Sequence, residues 1–254
     1  MTRTVENRID AGPDIAAVAG LLGDRTRATM VKALVADRAM PASELAALSG
    51  VSRPTASEHL ARLVEHGIVS VERCGRHAYY RLAGPEVATA LEALAVLAPI
   101  HPPRSLRSSF HLDNLRRART CYDHVAGRLG VAIADVLQSR GLVRRTGDGL
   151  ELDVPVWQDL RPLDIDCRPS LKGRRPAIRA CVDWSERRHH VAGSLAGAIT
   201  HRLFELGWIV RPRDGERVVK VTDEGFDGLA QSFGLPASVL RTDAADEERG
   251  AASS

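Results

Sequence analysis

Aromatic side chains make up only 4% of this 254-residue chain, so a surface that stacks successive bases of single-stranded nucleic acid is not expected. No apolar run approaches the roughly 20 residues that cross a bilayer. The opening stretch, MTRTVENRIDAGPD, has no apolar core of the kind that makes a secretory signal. A cytoplasmic protein without membrane contact is therefore expected. Cysteine is sparse too: Cys74, Cys121, Cys167 and Cys181 are too scattered for a disulfide framework and are expected as thiols. A Gly-rich phosphate loop, G-x-S-x-G, H-E-x-x-H and C-x-x-C are all missing, so an enzyme is not expected and no catalytic residue or cofactor is assigned. The net charge of +3 is too small for a protein that coats DNA regardless of sequence. A nucleic-acid reading must rest on local pattern instead.

The composition, 44% hydrophobic and 26% charged, is that of a globular chain, and its length suits two domains, each with its own core. Residues 15–22 place Ile15, Val18, Ala19 and Leu22 on one helical face. Asp24 is a plausible N-cap for the next helix, which carries Met30, Val31, Leu34 and Val35. After Pro41, SELAALSG predicts a short helix capped by Ser43, with Leu45 and Leu48 inward and Gly50 as a left-handed C-cap. The next helix opens with Ser52 as N-cap and Pro54 in its first turn, where no helical partner for the amide is needed. Leu60, Leu63 and Val64 form its buried stripe, while Arg53, Thr55, Ser57, Glu58 and Arg62 stay polar. Two short helices about a Gly-containing turn, the second polar on its leading face, make a helix-turn-helix. IVSVER and AYYRL then form a hairpin whose basic tip, with Arg73, Arg76 and His77, suits phosphate. Residues 85–98 close the unit as a helix with Val87, Leu91, Leu94 and Ala98 on one face.

The run SELAALSGVSRPTASEHLARLVEHGIVSVERCGRHAYYRL resembles the helix-turn-helix and wing of the ArsR/SmtB family of dimeric repressors. The resemblance covers residues 15–98. It implies that Arg53, Thr55, Ser57, His59 and Arg62 enter the major groove, and that the first helix and the helix at 85–98 form a homodimer interface. Candidate DNA contacts are Ser52, Arg53, Thr55, Ser57, His59, Arg62, Arg73, Arg76 and His77, with His59 alternatively bonded within the fold. The helix before the turn carries no thiol, so the family's familiar metal site is absent there.

Residues 99–110, rich in proline and serine, read as a stiff linker after a flexible 1–14 and the 15–98 DNA-binding domain. Beyond it the chain repeats: HVAGRLGVAIADVLQSRGLVRR from His124 aligns with HVAGSLAGAITHRLFELGWIVR from His190, an offset of 190 − 124 = 66. Each copy reads as a helix, a Gly-stopped turn and a strand or hairpin. A mainly α protein with small β wings is expected, its 111–234 domain built from two related winged-helix-like halves. Residues 235–254 read as a disordered tail.

Ahead of each copy sits a phrase with a thiol, a carboxylate, an aromatic and an imidazole: RARTCYDHVAG and CVDWSERRHHVAG. They resemble a C-terminal extension of some long members of the same family, a resemblance that assigns no ligand. Approximate twofold symmetry would gather Cys121, Tyr122, Asp123, His124, Cys181, Asp183, Trp184, His189 and His190. Three readings stand: structural packing, a soft-metal or metalloid site on Cys121 and Cys181, and an organic pocket walled by Tyr122 and Trp184. The two sulfurs are expected within bridging distance, although 181 − 121 = 60 falls six short of the repeat offset. Nearby Arg117, Arg119, Arg187 and Arg188 are expected to lower the thiol pKa values. Together these readings predict a homodimeric repressor of an inverted DNA repeat, controlled by a small-molecule or thiophilic effector.

Overall fold

The computed structural model describes residues 12–36, 38–75, 77–103, 105–147, 149–152, 163, 175–212 and 216–239. Arg76, Cys167 and the sequence from 240 onward lie outside the described residues, as do residues 1–11. The chain divides into two compact units, Met1–Val87 and Ala88–Ser254.

In the first unit, α1 (Ile15–Leu22) is capped by Asp14 and α2 (Arg25–Leu34) by Asp24, whose carboxylate accepts from the Arg27 amide. The short β1 (Met40–Pro41) leads into α3 (Ala42–Ser49). Pro41, not Ser43, occupies the N-cap of α3, because the proline ring sets an extended backbone directly before the first turn. Gly50 ends α3 in the left-handed conformation, and Ser52 caps α4 (Arg53–Glu65). The wing is the antiparallel hairpin β2 (Val69–Cys74) and β3 (His77–Leu82), and β1 pairs on the other edge of β3. Met30, Val31, Leu34, Leu45, Leu60, Leu63 and Leu82 fill the core. Leu48 is 55% exposed because Ala46, not Leu48, joins Leu45 on the buried side of α3. On α1 only Leu21 is buried; Leu22 is half-buried, and Ile15, at 75% exposed, and Val18 are left uncovered among the described residues.

The division between units falls inside α5 (Pro85–Leu97), so most of that helix belongs with the C-terminal unit. The expected linker is shorter than 99–110, since Ser105 opens α6 (Leu106–Arg117) with a reciprocal hydrogen-bonded box to Ser108. Next come β4 (Arg119–Cys121), β5 (His124–Ala126), α7 (Gly127–Ser139), β6 (Val143–Thr146) and β7 (Gly149–Leu152). Further along, β8 (Arg179–Val182), β9 (His189–Ala192) and α8 (Ser194–Glu205) repeat the hairpin-then-helix order. The paired β10 (Ile209–Val210) and β11 (Lys220–Val221) lead to α9 (Asp223–Phe233). Leu129, Ile133, Leu137, Leu195, Ile199, Leu203, Leu229 and Phe233 share one core, and Leu235 is buried against it, so the start of the expected tail is ordered.

Each hairpin turns into its helix through a glycine with positive φ, 76° at Gly127 and 105° at Gly193. A Cβ at Gly127 would stand 2.7 Å from the Arg116 carbonyl oxygen, and one at Gly193 would stand 2.7 Å from that of Ala177. Both the backbone conformation and the close approach exclude a side chain. Gly127→Ala is expected to lower stability by about 1–3 kcal/mol in urea unfolding; an unchanged midpoint would show that the junction tolerates a side chain.

Candidate functional site

The first candidate surface lies on α4. Ala56, Leu60 and Leu63 are buried, which leaves Arg53, Ser57, Glu58 and Arg62 exposed on the opposite arc. Ser52 is spent on the cap, accepting from the Thr55 amide and bonding the Thr55 hydroxyl at 2.8 Å. His59 turns back toward the first unit's interior, its Nδ1 3.4 Å from the Arg27 guanidinium and 3.8 Å from Asp24. That placement favours the bond within the fold over a groove contact. On the wing, Arg73 and His77 are exposed, and Arg76 lies outside the described residues.

The second candidate is a cluster in the C-terminal unit. Cys121 pairs across its hairpin with His124, and Cys181 pairs across the other with His190. The two cysteines are therefore equivalent in register; the six-residue difference in offset lies wholly in the longer turn between Cys181 and His190. Ala126 and Ala192 are buried with the two cysteines, and these small side chains let the hairpins approach closely. The sulfurs stand 3.9 Å apart and the two Nε2 atoms 3.1 Å apart. One donor atom from each of the four residues lies within 4.8 Å of the other three, and all four residues are buried.

A carboxylate stands behind each imidazole. His124 Nδ1 is 3.2 Å from Asp123, which Arg175 grips with both guanidinium nitrogens. His190 Nδ1 faces Asp183 at 3.6 Å and has no hydrogen-bond partner among the described residues. Burial alone would raise Asp123, but Arg175 and His124 hold its carboxyl well below the ordinary range. Burial likewise lowers His124, yet Asp123 and Cys121 outweigh it and bring the imidazole up to about 8. The adjoining Cys181 thiol, then burial, push Cys121 up to about 12. At Cys121 the expected lowering by arginines does not occur; the charges of Arg188 and Arg119 are committed elsewhere. Arg188 binds Asp135 at 2.5 Å, and Arg119 is enclosed by carboxylates.

The sequence reading missed this last network. Arg119 is fully buried and donates to Glu92 on α5 (3.4 Å), Asp183 (3.0 Å), Ser185 (3.1 Å) and the Leu115 carbonyl (3.2 Å). Glu92 also accepts from Arg217. An arginine beginning a strand carries no sequence signal of such a role.

The other expected effector residues stand around the cluster rather than in it. Trp184 is half-buried beneath Arg119, whose guanidinium carbon lies 4.7 Å from the ring centroid. Tyr122 occupies the first hairpin turn with φ of 58°, its ring 5.8 Å from Arg175. His189 is one residue from His190 on the same strand, so it points to the opposite face, where it meets Arg145 at 3.3 Å.

Residues 22–72 match a family model described as a helix-turn-helix domain. Over 214 residues the chain is 39% identical to the HTH-type transcriptional regulator YdfF of Bacillus subtilis (strain 168), a match that covers 84% of this chain and 94% of the relative. The chain belongs to the HTH-type transcriptional regulators. The homodimeric winged helix-turn-helix domain Mb0332 of Mycobacterium bovis is similar at 25% identity, covering 40% of this chain and 100% of that one, with a TM-score of 0.33. The transcriptional repressor BigR of Xylella fastidiosa is 26% identical, covering 34% and 88%, with a TM-score of 0.31. Among the described residues of this regulator, no helix is long and apolar enough to cross a membrane. Its first unit has the winged helix-turn-helix element order expected from the sequence, and the chain as a whole is a DNA-binding transcriptional regulator.

Replacing the buried Arg119 removes the guanidinium that compensates the buried Asp183, so Arg119→Met is expected to cost about 3–5 kcal/mol in chemical unfolding. The network also sets an acid limit. Burial raises Asp183, but Arg119, Ser185 and His190 outweigh it and hold its carboxyl down to about 2, below the ordinary 3.8. A depressed folded-state pKa stabilises above the unfolded value and loses that contribution as pH falls. The parent should therefore lose stability between about pH 4 and 2, more steeply than Arg119→Met; parallel slopes would contradict the network.

Proposed function

We infer that this regulator is a homodimeric repressor of an inverted DNA repeat, and that its operator affinity is set by an effector held at Cys121, His124, Cys181 and His190. The observation that carries the effector reading is the convergence of two thiols and two imidazoles in one buried place, donors drawn from two hairpins 60 or more residues apart. A thiophilic effector is favoured over an organic one, because Trp184 is already stacked under Arg119.

The DNA half of the reading is supported by the exposed arc of α4 and by the basic wing. Two recognition helices in a dimer would meet half-sites about one helical turn apart. Coupling between the halves has a physical route: Asp183, beside His190, is joined through Arg119 to Glu92 on α5. Under the family resemblance α5 is a dimer helix, so a shift of Glu92 would alter the spacing of the reading heads. Such couplings are typically worth about 1–3 kcal/mol.

Arg53→Ala and Arg62→Ala should each weaken operator binding in fluorescence anisotropy, with each loss shrinking as salt rises, because a phosphate contact releases a counterion. Unfolding midpoints should stay unchanged. A full-length protein with no preference for any genomic sequence over random duplex would refute the operator reading.

The homodimer is supported by apolar side chains left bare on two helices: Ile15 and Val18 on α1, and Leu94 (50% exposed) and Leu97 (82%) on α5. Leu94→Glu should convert the dimer to monomer in sedimentation, since an unpaired charge is costly in an apolar interface. Wild-type protein sedimenting as a monomer at micromolar concentration would rule out the interface.

A further inference from the structure

We propose that Cys121, His124, Cys181 and His190 form a closed tetrahedral site for one divalent cation of zinc chemistry, each hairpin supplying one thiolate and one imidazole. The proposal deepens the effector reading above by naming the class of ligand, and rests on it only for the regulatory consequence.

Three observations carry it. The first is metric. Tetrahedral zinc with Zn–S near 2.3 Å and Zn–N near 2.05 Å separates its sulfurs by about 3.8 Å and its nitrogens by about 3.3 Å. The observed separations are 3.9 Å and 3.1 Å. Sulfur-to-nitrogen pairs, which lie within 4.8 Å, close by no more than about 1.2 Å to reach the same geometry.

The second is the direction of the imidazoles. Both Nδ1 atoms are turned to carboxylates, His124 to Asp123 and His190 to Asp183. Two neutral imidazoles protonated at Nδ1 would present both Nε2 lone pairs to each other at 3.1 Å. Two acceptors face to face repel unless a cation lies between them. A shared proton would satisfy the nitrogens but leave both sulfurs without a role, whereas a metal ion satisfies all four donors. The carboxylate–histidine–metal arrangement fixes tautomer and ring orientation at metal sites; His124 has it with Asp123 at 3.2 Å, and at His190 the 3.6 Å gap to Asp183 closes as the ion binds.

The third is charge, and it selects the valence. Arg175 compensates Asp123, and Arg119 compensates Asp183. No further cation is needed behind the histidines. Two thiolates and one divalent ion then sum to zero, whereas a monovalent soft ion would leave a buried net negative charge. Four protein donors complete the coordination, leaving no position for a reactive water. The ligands are thiolates, so any proton held by either sulfur leaves as the ion binds.

The test uses full-length, reduced protein treated with EDTA and titrated with Co(II), then with Zn(II) in competition. One equivalent per chain is expected, with the visible bands of tetrahedral Co(II), a thiolate-to-metal charge-transfer band, and displacement of both by Zn(II). Cys121→Ser and Cys181→Ser should each diminish the charge-transfer band. Asp123→Asn, away from the Arg119 network and expected to fold, should bind Zn(II) about 10–100-fold more weakly. A folded chain, checked by circular dichroism, that binds neither ion overturns the proposal. So does a charge-transfer band unaltered in both serine variants. Operator affinity is then measured with and without Zn(II): a change of about 5–150-fold supports the sensor reading. Stoichiometric binding with no change in operator affinity upholds the metal site and overturns the sensor reading alone.

Discussion

A guanidinium without solvent exposure is the constraint around which the C-terminal unit is arranged. A buried guanidinium charge must be met where it lies. Asp183, Glu92, Ser185 and the Leu115 carbonyl meet it from four directions, and Trp184 covers its face. Those contacts fix the end of α6, the second hairpin and α5 relative to one strand. Asp183 also accepts from the Gly127 amide at 2.6 Å, which places a carboxylate at the positive end of α7. The same side chain thus orients a histidine, caps a helix and neutralises an arginine.

The two hairpins contribute the same donors but not the same surroundings. In the first, the carboxylate immediately precedes its histidine and is held by Arg175. In the second, six extra turn residues carry Asp183 into contact with Arg119 and so with α5. Equivalent donors therefore have unequal outer partners: one hairpin is tied to its own half, the other to the helix leading from the DNA-binding unit.

The N-terminal unit divides its surface differently. Alternate arcs of α4 serve the core and the solvent, and His59 shows how narrowly they are separated, since it leaves the exposed arc to meet Asp24 and Arg27. Apolar side chains on α1 and α5 remain bare, a pattern that a single copy of the chain does not resolve.

The helix-turn-helix was legible from the sequence because its signals are local: caps at Asp24 and Ser52, a left-handed Gly50, Pro54 in a first turn and a period-matched stripe of Leu60 and Leu63. The repeat was legible for the same reason, as were Cys121, His124, Cys181 and His190 as candidates. What sequence spacing did not decide was which of the neighbouring polar residues join them. Strand alternation turned His189 away and His190 inward, and the register of each hairpin, not the count along the chain, made the cysteines equivalent. The helix of α6 within a proline-rich stretch was obscured because a Ser105–Ser108 box outweighed the composition around it. Arg119, Glu92 and Arg217 were invisible because their partners come from segments 27 to 125 residues distant. Sequence alone determined which local elements form and which chemical groups are carried. Only the tertiary structure decided which groups meet, because burial makes a charge seek its partner across space and leaves no trace of that partner in the neighbouring residues.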